Sequence, residues 1–454
     1  MRHEEIPTAF SLEFEEILDD LKLIEHSKER IFESIFIDKM PKWRTLHYLI
    51  TLHHIKNAVK KIDDTSPLLK ILGPIKKSPK QTYIDFVKQL RTSLDHLKQE
   101  DSSKEVCYRF YTSNDLNVFC NKLIQLMKKS VLIEAISDDL FTRLYQTRKQ
   151  IVKAPKFLKT SFFNTICQFI VGQFHFNYDP QIQENIPYKL FEIPAKEKVI
   201  QVIRMGTQTQ ENYLAPLTQT AQVNSEFMGF IEFLAEANKK HLYFNFQNKI
   251  PTWWGRNEAP RCRALEAFAS KHPQVLYFIT LPKNTLFYHQ EGPFETLDDA
   301  GYFKTNFLDE ILSPDLGFGF INAEEFVYKD DFFKKIINFV HQSYFNDKNQ
   351  LNHQERKIFI ELTYLEIEKA LINFIQPDTV NLTCKDGIDR AGGALALLYF
   401  DLYLKNKSNY SERDVQNLEA ILFAPALLVK KRAIIKNRFE RFISAAKHIS
   451  RITP

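Results

Sequence analysis

Three of the twelve glycines in this 454-residue chain fall within seven positions, in "TCKDGIDRAGG" (383–393). No other feature constrains the fold as tightly. Upstream, "TVNLT" (379–383) reads as a short strand. Downstream, "AGGALALLYFDLYL" (391–404) reads as a helix. A strand that runs through a glycine-bearing loop straight into a helix is an α/β element, and such a loop gathers its N–H groups at a helix N-terminus. Either this is an ordinary strand–turn–helix corner with Cys384 as a buried structural thiol, or it is a phosphate cradle with a nucleophile at its base.

Residues 1–180 carry helical periodicity. "FSLEFEEILDDLKLIEHSKERIFESIF" (10–36) and "RTLHYLITLHHIKNAVKKI" (44–62) place apolar residues at i, i+3, i+4 and i+7. Further helices are expected at 83–100, 113–131 and 138–152, with a proline-bearing loop after residue 62. Near residue 185 the pattern changes. "HLYFNFQ" (241–247) and "VLYFITL" (275–281) read as buried strands flanking the helix "EAPRCRALEAFASKH" (258–272). After a loop-rich middle, "ERKIFIELTYLEIEKALINFI" (355–375) reads as a helix, and two more helices close the chain. The expected fold is mixed α/β. A helical bundle is expected over 1–180, as a packing, docking or targeting module. A domain over 185–454 has a central sheet flanked by helices and ends in a basic helix.

With 44% hydrophobic and 26% charged residues, the composition is that of a folded chain. A net charge of +5 is too small for a dedicated nucleic-acid binder. Five cysteines without a C-x-x-C pair point to reduced thiols and a cytosolic environment. No run approaches 18 apolar residues, so no membrane span is expected, and residues 1–20 lack the pattern of a signal peptide.

Arg390 stands six positions after Cys384, and no other cysteine has an arginine there. A thiol has a reference pKa near 8.5, and N–H dipoles, a helix N-terminus and an arginine all favour its thiolate. A thiolate so placed can attack phosphorus. Arg390 suits bidentate binding of phosphate oxygens, and Gly387 lets the backbone come close. Asp386 and Asp389 are at hand to protonate a leaving alkoxide; Asp389 equally suits the N-cap of the next helix. This chemistry needs neither metal nor cofactor.

"CKDGIDR" resembles the signature loops of cysteine-dependent phosphoinositide phosphatases. Myotubularins carry Cys-Ser-Asp-Gly-Trp-Asp-Arg, matched here at Cys384, Asp386, Gly387, Asp389 and Arg390; Sac-domain phosphatases share the Cys-x-Asp-x-x-Asp-Arg frame. A lysine after the cysteine, here Lys385, is similar to inositol polyphosphate 4-phosphatases and to bacterial effector phosphatases that act on host phosphoinositides. The resemblance covers about ten residues. It implies Cys384 as nucleophile, Arg390 as phosphate clamp and Asp389 as general acid. Lys385, Asp386, Gly387 and Ile388 would line the bound phosphate, with Lys385 toward a second phosphate. It further implies a phosphoinositide or inositol phosphate as substrate, and peripheral contact with an anionic membrane. The loop departs from most relatives at Ala391, where they have Thr or Ser, and at Thr383, where tyrosine phosphatases often have His. A soluble inositol polyphosphate phosphatase, a tyrosine or dual-specificity phosphatase and a phosphate-binding pseudo-phosphatase remain alternatives.

Other clusters invite a role. Arg256, Arg261 and Arg263 can line an anionic pocket. Lys283, Tyr288 and His289 follow a strand, toward the carboxyl end where clefts form. Asp315 offers a second general acid on a loop. Lys430, Lys431, Arg432, Lys436, Arg438 and Arg441 fit either a membrane-facing surface or a solvated helix face.

Overall fold

The computed structural model describes residues 41–60, 67–71, 77–96, 101–130, 139–153, 178–195, 198–215, 218–250, 258–329, 331–430 and 432–452. The helix expected over 10–36, together with Arg256 and Lys431, lies outside them. The chain begins with α1 (Pro41–Val59), α2 (Pro67–Ile71), α3 (Pro79–His96), α4 (Asp101–Thr112), α5 (Asp115–Ser130) and α6 (Leu140–Lys153). Four strands follow: β1 (Tyr188–Pro194), β2 (Val199–Arg204), and the polar hairpin β3 (Thr209–Ala215) and β4 (Thr218–Val223). Next come α7 (Ser225–Glu236), β5 (His241–Asn245), α8 (Ala259–Ala269), β6 (Leu276–Thr280) and α9 (Leu286–His289).

The stretch expected to be loop-rich instead holds α10 (Ala300–Leu312), β7 (Gly319–Ile321), α11 (Glu324–Val327) and α12 (Phe332–Phe345). The chain ends with α13 (His353–Ile375), β8 (Thr379–Thr383), α14 (Asp389–Tyr403), α15 (Glu412–Lys430) and α16 (Lys436–Ile452). The start of α13 is written locally. Asn352 accepts hydrogen bonds from the amides of Gln354 (2.9 Å) and Glu355 (3.0 Å), and the Glu355 carboxylate accepts one from the Asn352 amide (2.9 Å).

The main sheet has the order β1-β2-β8-β5-β6-β7. β2, β8, β5 and β6 run parallel; the edge strands β1 and β7 are antiparallel to their neighbours. Every residue of β5, β6 and β8 is buried, so helices cover both faces of the sheet. Phe227 and Phe230 of α7 pack against His241, itself bonded to Thr379 (2.8 Å) and Asn381 (2.8 Å) of β8. Burial lowers the pKa of this imidazole to about 3, so it is a neutral part of the core.

The helices of 41–153 share one hydrophobic core with the sheet, without a break near residues 180–185. α4 packs on α7 and on β1, and α5 on α15. Among the described residues no helix is long and apolar enough to cross a membrane.

Candidate active site

The loop 384–388 leaves the carboxyl end of β8 between its neighbours β2 and β5, the usual place for a ligand in an open α/β sheet. Its carbonyl groups are turned outward and held. The Thr207 amide (2.9 Å) and the Tyr178 hydroxyl donate to Lys385 O. Asn185 Nδ2 (3.0 Å) and Arg204 Nη2 (2.7 Å) donate to Asp386 O, and the Gly387 amide closes a turn on Cys384 O (3.0 Å). Among the described residues, the amides of Lys385, Asp386, Ile388 and Asp389 have no protein acceptor. Carbonyls tied to the scaffold and amides left open make a concave donor set for an anion.

Gly387 is required twice over. Its φ is +62°, and a Cβ there would lie 2.1 Å from Met205 O. Thr383 reaches the same carbonyl through its hydroxyl (2.7 Å). Its side chain thereby anchors the loop to the end of β2.

Cys384 is 5% exposed, with the Arg390 guanidinium beside its sulfur. Arg390 is aimed by Glu258, the residue before α8. Nη1 donates to Glu258 Oε2 (2.9 Å) and Phe246 O (2.9 Å), and Nη2 donates to Glu258 Oε1. Three of five guanidinium N–H groups are therefore committed. The other two, on Nε and Nη2, form one edge of the fork and fit two oxygens of a tetrahedral anion. Burial alone would raise the Glu258 pKa, but Arg390 outweighs it and keeps the carboxyl below its ordinary range.

Asp389 sits differently from the expectation of a general acid. Arg432 grips its carboxylate with both Nη1 (2.8 Å) and Nη2 (2.6 Å), and the Ile435 amide adds a third bond (3.0 Å). Burial pushes its pKa up, yet these donors outweigh burial and hold it below the ordinary value. A carboxyl so held is a poor proton donor. Among the described residues, the ion-pair partner of Asp386 is the Lys430 ammonium (3.1 Å). Ile388 is buried and contributes its backbone.

Lys385 lies over the Tyr178 ring (5.0 Å). Burial, then the neighbouring Arg261, lower its pKa. Among the described residues it has no carboxylate within ion-pair distance, whereas Arg261 is bonded to Glu211 and to Gln247 (2.7 Å). Arg263 is exposed. Lys283 and Tyr288 line a narrow crevice with Asp389, Arg390 and Arg438, but both are bonded to the buried Glu361, the lysine at 2.7 Å. His289 is partly buried, and burial and Arg438 press its pKa down to about 4. Asp315 is exposed in the turn before β7, three strands from β8 in the sheet.

Of the described C-terminal cations, Arg438 and Arg441 turn inward, while Lys430, Arg432 and Lys436 stay at the surface. Lys430 and Arg432 meet the loop's two aspartates. Arg438, 8% exposed, donates to Lys283 O (2.8 Å), and Arg441 donates to Lys357 O (2.9 Å). Lys436 is the most exposed of the described five, at 74%, with Glu440 at 3.6 Å. Sequence reading did not find Glu258, Tyr178, Asn185 or Arg204; each lies more than 130 residues from its partner in the loop region, and no local pattern marks any of them. Comparison with family models, with curated proteins and with solved structures finds no match for this chain.

Proposed function

We propose that the chain is a cysteine-dependent phosphomonoester hydrolase working through a phosphocysteine on the CKDGIDR loop. The observation that carries this reading is the Arg390 fork, fixed by Glu258 with one donor edge free beside the Cys384 sulfur.

In the first step the Cys384 thiolate attacks phosphorus: the S–P bond forms and the ester P–O bond breaks. The leaving oxygen takes a proton from a carboxyl group at the loop. We assign that proton to Asp386, which meets the single Lys430 ammonium, because Asp389 is held by two bonds from Arg432 and a third from the Ile435 amide. Asp389 instead ties α14 to the α15–α16 connection. In the second step water attacks the phosphocysteine, gives its proton to the Asp386 carboxylate, and orthophosphate leaves with the thiolate restored. Open loop amides and Arg390 bear the charge that develops on the equatorial oxygens. Ala391, buried behind the loop, offers no hydroxyl to assist this step.

The favoured substrate is a polyphosphorylated inositol, as a lipid headgroup or free in solution. Its support is Lys385, a partly buried ammonium without a carboxylate within ion-pair distance among the described residues, which a second phosphate would neutralise. The test is orthophosphate release from phosphoinositide vesicles, soluble inositol phosphates and phosphotyrosine peptides, with Cys384→Ser alongside. Release that survives this substitution would sink the phosphocysteine. Binding of phosphate without release from any substrate would favour a pseudo-phosphatase.

A further inference from the structure

A second cleft, of about 420 Å³, lies at the far end of α14, where α5, β1 and α15 meet it. Asp389 and the cleft residues Tyr399 and Tyr403 are ten to fourteen positions apart on one helix, about 15–20 Å at 1.5 Å per residue. The cleft is therefore separate from the loop, and the inference does not rest on the proposed activity.

Its lining is rich in carboxamides, Asn114, Asn117, Asn121 and Asn417, and one N–H of each of the last three is already used. Asn117 Nδ2 donates to Leu190 O (2.6 Å), Asn121 Nδ2 to Asn117 O (3.0 Å), and Asn417 Nδ2 to the Tyr399 hydroxyl (3.0 Å). Each of these amides keeps a second N–H, and Asn121 Nδ2 also stands 3.4 Å from Asn117 Oδ1. Among the described residues Asn121 Oδ1 is buried without a hydrogen-bond partner, a state that costs on the order of 1–3 kcal/mol unless a donor arrives. Arg413 stands exposed at the rim, with no ion pair among the described residues, close enough to influence the Tyr399 hydroxyl. Phe191, Tyr399 and Tyr403 form one aromatic cluster beside these groups, with centroids 5.0–6.2 Å apart.

We propose that this cleft binds a sugar or cyclitol ring bearing one anionic substituent. Ring hydroxyls, which both donate and accept, suit carboxamides that keep an N–H and an oxygen. The ring's C–H face lies on the aromatic cluster, and the substituent pairs with Arg413. The Glu192 carboxylate in the lining is already paired with Lys189 (2.8 Å), which leaves Arg413 as the unpaired charge among the described lining residues, and a purely apolar ligand would leave Asn121 Oδ1 unsatisfied.

The test is calorimetric titration of the full-length Cys384→Ser chain with glucose 6-phosphate and with myo-inositol 1-phosphate. Glucose, myo-inositol and orthophosphate serve as partial ligands. At least one ring phosphate binds with a Kd below about 1 mM, and each partial ligand binds about tenfold more weakly. Arg413→Glu, at an exposed position, and Asn417→Leu each weaken the ring phosphate about tenfold, while an added Arg390→Ala leaves it unchanged. Loss on Arg390→Ala with indifference to Arg413→Glu would put the ligand at the loop and overturn the proposal. So would the lack of saturable binding up to about 10 mM.

Discussion

Glu258→Gln separates an arginine that binds phosphate from one that merely holds the fold together. Glutamine keeps the volume and one acceptor oxygen, but it puts an N–H₂ group against Arg390 and removes the negative charge. Removing one partner of a buried ion pair costs about 3–5 kcal/mol, and the retained oxygen recovers part of that. The expected loss of stability is about 2–3 kcal/mol. If Arg390 must hold its free edge toward the transition state, a similar loss there lowers kcat about 30- to 150-fold. The variant should also respond more to phosphate. Its guanidinium has lost its anion, so orthophosphate stabilises it more than the wild type, read as a larger rise in melting temperature at equal ligand concentration. Lower stability with unchanged phosphate release and an unchanged phosphate-induced shift would refute the assignment of Arg390 as a clamp.

Gly387→Ala forces a Cβ onto the Met205 carbonyl at positive φ, so it should cost about 2–4 kcal/mol and abolish phosphate release. Gly393→Ala, whose nearest neighbour would be at 3.5 Å, should be tolerated in the same thermal melts. Lys385→Met should raise KM for bis-phosphorylated substrates about tenfold or more and leave mono-phosphorylated ones nearly unchanged. Asp386→Asn should lower kcat most for substrates with poor leaving groups and remove the alkaline limb of the pH profile. Asp389→Asn should chiefly lower the melting temperature, and the opposite pattern would return the acid role to Asp389.

Glu368 is fully buried, its Oε1 has no hydrogen-bond partner among the described residues, and burial raises its pKa to about 8. Its folded pKa lies above its unfolded one, so the folded state holds the extra proton between pH 4.5 and 8 and loses stability as pH rises through that window. Glu368→Gln should remove that loss, a gain of a few kcal/mol at pH 8.5 over pH 5 relative to wild type. Parallel stability profiles in denaturant titrations would contradict it.

What the sequence displayed was whatever is local. "TVNLT" coincides with β8 residue for residue, because a buried parallel strand bounded by polar residues and a loop needs no distant partner to be recognised. The helix expected from 355 starts at His353, and the two added residues follow from the capping box at Asn352. The polar hairpin "TQENYLA"/"TQTAQV" went unread, since its residues lack the apolar alternation that marks a half-buried strand. Edge strand β1, "YKLFEIP", mixes charge and apolar residues around a register shift and gives no clean period either. At the site, the nucleophile, glycine and arginine share one heptapeptide and were legible together. Glu258 was not, because its role exists only where 132 residues of intervening chain bring α8 beside α14. The C-terminal cations show the same limit: spacing tells that a helix is basic, not whether its charges face water or the loop's aspartates.

The helices of residues 41–153 enter this picture as part of the loop's scaffold. Amides converge on one point only if the carbonyls between them are held facing away. That holding falls to segments 178–185 and 204–208, through Tyr178, Asn185, Arg204 and Thr207. These segments are in turn fixed from the helices. Arg91 of α3 binds the Asp179 carboxylate with both terminal nitrogens (2.6 and 3.1 Å) and reaches Glu226 through Nε (2.7 Å). Tyr83 bonds Gln181 (3.2 Å), and Tyr111 of α4 bonds Gln208 (2.6 Å), which in turn donates to Gly206 O (2.7 Å). A chain begun at residue 185 would lack Tyr178, Asp179 and Arg91 together. Lys385 O would then keep one of its two donors, and the turn that positions Asn185 would lose its anchor. The orientation of the loop's open amides therefore depends on residues on both sides of the boundary that the sequence alone suggested.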